Sequence, residues 1–69
     1  MEFKLEGKEF IELNRVIKYI AWAESGGEAN KMIGASLLQV NGNIELRKRN
    51  KLRGGDVIRY KDQECTIVA

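Results

Sequence analysis

The apolar residues of this chain change period near residue 36, and that change decides the fold class. Leu13, Val16, Ile17 and Ile20 recur at helical spacing, whereas Leu38, Val40, Ile44 and Leu46 alternate with polar neighbours. The first pattern builds an apolar stripe on a helix, and the second builds one apolar face on a pair of strands. With 69 residues, one small core has to serve both halves, and a second domain is excluded. The expectation is an α+β domain spanning 1–69, with two short helices packed on a small, mainly antiparallel twisted sheet.

Local signals place the joints. Phe3 and Leu5, then Phe10 and Ile11, flank Glu6-Gly7-Lys8, so residues 1–11 read as a short strand or hairpin. The stripe from Leu13 to Ile20 leaves Arg15, Lys18 and Trp22 on the opposite side of the first helix. Ser25-Gly26-Gly27-Glu28 ends that helix and begins another, because glycine breaks the run and Ser25 and Glu28 have capping-box spacing. The second helix buries Ala29, Met32 and Ile33 and frays over Gly34 to Ser36. Asn41-Gly42 is a hairpin turn, where both central residues need positive φ. Lys51 to Asp56 follows as loop and turn, Val57 to Tyr60 as a strand, Lys61 to Glu64 as a tight turn and Cys65 to Val68 as the last strand.

Charge is segregated along this frame. Residues 1–35 hold five Lys/Arg against six Asp/Glu, and residues 36–69 hold seven against four. Five of the seven residues from Arg47 to Arg53 are basic and none is acidic. A loop this positive suits a polyanion. The chain has no histidine, which removes Ser/His and Cys/His nucleophile pairs and histidine-containing zinc sites. Asp56, Asp62 and Glu64 occupy turn positions, where carboxylates cap bends. Cys65 is the single cysteine and reads as a small buried hydrophobe of a cytoplasmic protein. The longest apolar stretch, Tyr19 to Ala23, is too short to span a membrane, and no catalysis, cofactor, metal or small-molecule substrate is expected.

The residues Leu13, Ser25…Ala29…Met32-Ile33, Leu38-Gln39-Val40-Asn41-Gly42, Arg47 and Leu52-Arg53-Gly54-Gly55-Asp56-Val57-Ile58 stand in an ungapped order. That order resembles the S-four RNA-binding domain, named after ribosomal small-subunit protein four. The resemblance covers Leu13 to Ile58 and is nearest to the short stand-alone bacterial members. It implies the αL motif, with a basic groove that grips structured RNA, of which ribosomal and transfer RNA are examples. Carried over position by position, it implies RNA contacts at Arg47 and Arg53. Two departures stand out. Gly26 replaces the basic residue that often follows the serine of the second helix, which shifts weight to Lys31 and Lys18. Ser36 replaces the glycine ahead of the hairpin, where a left-handed conformation suits Ser less well than Gly.

The expected RNA-binding residues are therefore Lys18, Lys31, Arg47, Lys48, Arg49, Lys51 and Arg53. Arg15, Trp22, Gly26 and Gly27 are secondary candidates. Arg guanidinium groups suit two-pronged phosphate contacts, Lys groups act as mobile point charges, and the glycines leave backbone N–H groups accessible. Trp22 reads first as an aromatic that closes the core and second as a platform for an unpaired base. With few aromatics, recognition rests on shape and backbone. A monomer is expected. Two other classes compete: a ubiquitin-like sulfur carrier, against which the Thr66-Ile67-Val68-Ala69 ending argues because such carriers end in Gly-Gly, and a protein-interaction module docking its basic loop on an acidic partner.

Overall fold

The computed structural model, which describes residues 1–69, contains a five-stranded sheet, a two-stranded pair and two helices. The elements run β1 (Glu2–Lys4), β2 (Ile11–Glu12), α1 (Leu13–Tyr19), α2 (Gly26–Gly34), β3 (Leu38–Val40), β4 (Asn43–Ile44), β5 (Lys51–Leu52), β6 (Val57–Tyr60) and β7 (Gln63–Val68). The large sheet has the order β1-β7-β6-β3-β4, and β2 and β5 form a separate antiparallel pair. Every pairing in the large sheet is antiparallel except β1 with β7. This is the expected α+β arrangement, and no helix is long and apolar enough to cross a membrane.

The large sheet is one-sided, as its alternation demands. Leu38, Ile58, Cys65 and Ile67 are fully buried, while Arg59 and Glu64, paired across β6 and β7, are exposed and form an ion pair at 2.8 Å. Leu13, Val16 and Ile17 of α1 and Ala29, Met32 and Ile33 of α2 join the same core, which contains no polar or charged residue. Cys65 is wholly enclosed, and burial pushes its thiol pKa up.

Both helices stop in the same way. The N–H groups of Ala21 and Trp22 donate to the carbonyls of Lys18 and Ile17, and those of Ser36 and Leu37 donate to Ile33 and Met32. Each is a Schellman closure, which requires a left-handed residue just past the helix end. Ala21 (φ 66°) and Ser36 (φ 64°) fill that position, although glycine adopts it without a Cβ penalty. Ala21→Gly and Ser36→Gly each raise stability by about 0.5–1 kcal/mol, read as a higher urea midpoint at unchanged slope.

Three sequence expectations need correction. Of the two readings of residues 1–11, the short strand holds, as β1, and the hairpin does not: Glu6 and Gly7 form a left-handed turn, but β1 pairs with β7 and β2 with β5. Apolar cover decides this, since Leu5 is buried in the common core and its N–H donates to Val68. Lys51-Leu52 is strand rather than loop, because Leu52 is fully buried and pairs with Ile11. The alternation through Ile44 and Leu46 does not continue a buried face. Strand β4 ends at Ile44 on the sheet edge, and both side chains are exposed.

Candidate nucleic-acid interface

Helix α1 has no side-chain cap on Glu12. Instead, Leu13 N–H donates to the Asn50 carbonyl at 2.9 Å and Asn14 N–H to the Lys48 carbonyl at 3.0 Å. These are two of the donors that a helix start leaves without intrahelical partners. The basic loop thus serves as the cap of α1, and the β2–β5 pair clamps its far end. Two stretches of positive charge far apart in sequence become one surface for this reason.

The surface includes an open cleft of about 370 Å³. Asn14, Arg15, Lys18 and Tyr19 line it from one face of α1, with Gly26 at the start of α2 and Arg49 from the loop. Arg15 is held by Glu12 at 3.2 Å, an exposed i,i+3 pair of the kind that stabilises little and exchanges readily. Lys18 and Arg49 form no salt bridge. A second groove, of about 330 Å³, adjoins the first through the shared residues Glu12, Arg15 and Tyr19, and adds Lys8 and Phe10.

The remaining basic candidates do not line this cleft. Arg47 is engaged by Glu45 through Nε at 2.9 Å and Nη2 at 3.1 Å, and its backbone N–H donates to the same carboxylate. Asn50 Nδ2 also donates to Glu45, so one carboxylate shapes the basic loop. The Arg47 hydrogen bonds hold the Glu45 carboxyl below its ordinary range and push the Arg47 pKa up. Lys51 and Arg53 lie over the Phe10 ring, at 4.9 and 5.7 Å from its centroid. The Lys48 stem crosses Gly34 at the end of α2. Lys31 and Gly27 do not line the cleft.

Trp22 belongs to the core, as the first of its two sequence readings held. It packs on the buried cluster and lies 6.0 Å from Tyr60, centroid to centroid. Sequence reasoning missed Glu45, Asn14 and Tyr19. The shaping of the loop by Glu45 had a visible trace in the short Glu45/Arg47 spacing, whereas Asn14 and Tyr19 acquire meaning only when Arg49 joins them on the cleft. Asn14 Nδ2 donates to Asn30 Oδ1 at 3.1 Å, and Asn14 Oδ1 is buried with no hydrogen-bond partner in the protein.

The S4 domain family model matches residues 3–68, nearly the whole chain. The chain belongs to the S4 domain family. Escherichia coli (strain K12) YbcJ is 31% identical to it over 67 residues, covering 97% of this chain and 96% of that protein. An uncharacterized YbcJ from Shigella flexneri matches with the same identity and coverage. The solution structure of E. coli YbcJ, described as revealing an αL motif involved in RNA-binding, superposes with a TM-score of 0.75 over 99% of this chain and 86% of that one.

In this S4 domain the V-N-G and G-D motifs prove to be one unit. Asn41 and Gly42 form the turn with φ of 52° and 88°, as the sequence suggests. Asn41 does more than turn the chain: its Nδ2 donates to Asp56 Oδ1 at 3.0 Å, and its Oδ1 accepts from Val57 N–H at 2.9 Å. Asp56 Oδ2 accepts in turn from Arg53 N–H at 2.8 Å. The αL motif is thereby closed on the side where the basic loop leaves and re-enters the sheet.

Proposed function

We propose that this S4 domain is a non-catalytic module that binds structured RNA, one copy per site, by gripping phosphates in the cleft between α1 and the basic loop. The observation that carries the reading is the meeting of Lys18 and Arg49 on one cleft, with neither cation engaged by a carboxylate. Unneutralised cations drawn from different elements supply the counterion-release term that dominates nucleic-acid affinity. Arg15 exchanges Glu12 for phosphate at small cost. Gly26 adds the start of α2, where backbone N–H groups and the helix dipole favour an anion. Lys48, Lys51, Arg53 and Lys31 widen the positive field around the centre. The kinship with YbcJ supports RNA as the polyanion.

The test is a fluorescence titration of a structured RNA and a matched duplex DNA at two salt concentrations. Neutralising about five phosphates, at about 0.7–0.9 per phosphate, lowers affinity roughly 100- to 500-fold between 50 and 200 mM salt. Arg49→Ala is expected to weaken RNA binding about tenfold and Arg47→Ala less, since Arg47 has Glu45 as a competing partner. Equal binding to DNA reduces the interface to general electrostatics. Salt-insensitive or absent RNA binding sinks the reading in favour of an acidic protein partner.

A further inference from the structure

We infer that Tyr19 is a stacking platform for an unpaired nucleobase, so that this domain selects RNA helices interrupted by a bulged or splayed nucleotide over continuous duplexes. The inference rests on the RNA-binding reading above and names the feature of the RNA that the site takes.

The other aromatic rings are largely covered. Phe3 is half-buried on the core, and Trp22 and Tyr60 pack on it together. Phe10 lies beneath Lys51 and Arg53. Tyr19 is 56% exposed, the one aromatic among the exposed large side chains. It is shared by both basic grooves and therefore marks their junction.

The ring is also held for the task. It lies nearly parallel to Phe3, at 8° with centroids 6.2 Å apart, an offset stack that fixes its tilt. Lys18 Nζ is 5.8 Å from its centroid, so a phosphate bound at Lys18 brings its own nucleotide beside the ring. A tyrosine restrained in this way loses little conformational entropy on contact. In a continuous duplex the π-faces are covered by neighbouring pairs, and only an unpaired base offers one.

The probes are an RNA hairpin whose stem carries one unpaired 2-aminopurine and the same hairpin with that position paired. The wild type is expected to bind the bulged hairpin about five- to 150-fold more tightly, the range that one base–aromatic stack supplies, and to quench its fluorescence. Tyr19→Phe retains both effects, whereas Tyr19→Ala and Tyr19→Leu lose the preference and the quenching while still binding the paired hairpin. Thermal melting verifies that each variant is folded, and the leucine variant keeps apolar bulk against Phe3. Lys18→Glu/Arg49→Glu weakens both hairpins alike. Equal wild-type affinity for the two hairpins, or quenching that survives Tyr19→Ala, overturns the inference and leaves RNA binding standing. Binding of neither hairpin by the wild type overturns both.

Discussion

Reversing the charge of the two unpaired cleft cations, Lys18→Glu with Arg49→Glu, is expected to lower affinity for structured RNA by about 100-fold or more near 50 mM salt. A hydrogen bond to a charged group contributes about 1.5–3 kcal/mol net, and 1.4 kcal/mol is a factor of ten. Two such contacts therefore account for at least about two decades before repulsion is counted. The salt dependence carries a second, independent signature. Loss of two phosphate contacts flattens the slope of log affinity against log salt by about 1.4–1.8. Both side chains are exposed and outside the core, so the melting temperature should remain close to wild type. A titration series at four salt concentrations, with melting curves for each protein, reads all three. An unchanged slope in a folded double variant would remove these residues from the interface.

Leu52→Ala has the largest expected effect on the fold itself. Leu52 is fully buried and sits in a strand only two residues long, opposite Ile11. Truncating a buried leucine removes transfer energy and leaves a cavity, at a cost of about 2–5 kcal/mol. For a domain of this size each kcal/mol lowers the midpoint by about 4–8 °C, so a fall of roughly 8–40 °C is expected by circular dichroism. Leu46→Ala supplies the contrast. Leu46 is 57% exposed, and its truncation should stay within about 0.5 kcal/mol. Equal losses at the two leucines would contradict the assignment of β5 to the core and of residue 46 to the surface.

Those two leucines also show how far the sequence could be read. Leu46 stands in phase with Leu38, Val40 and Ile44, and periodicity alone makes it a core residue; the edge position of β4 takes that away. Leu52 lies inside a charged run with no alternation around it, and only pairing with Ile11, far off in the chain, reveals its burial. The helices were legible because their stripes and the Ser25 cap are local signals. The Asn41-Gly42 turn was legible for the same reason, but its hydrogen bonds to Asp56 and Val57 were not. At the interface the basic residues were visible as a composition bias, whereas their division into paired and unpaired groups was not. Arg47 and Arg49 are equivalent as letters; Glu45 distinguishes them by geometry. Nor could the sequence show that Arg49 would face Arg15 and Lys18, which depends on carbonyls of Lys48 and Asn50 reaching the first two amides of α1.

That last connection bears on how quickly a ligand is captured. A mobile cationic loop must be frozen when it closes on a polyanion, and each ordered residue subtracts from the binding free energy. Here the loop backbone is already immobilised, because unfastening it would strip the cap from α1 and expose Leu52. A ligand then meets a loop already in shape, which leaves diffusional orientation and long-range attraction to set the association rate.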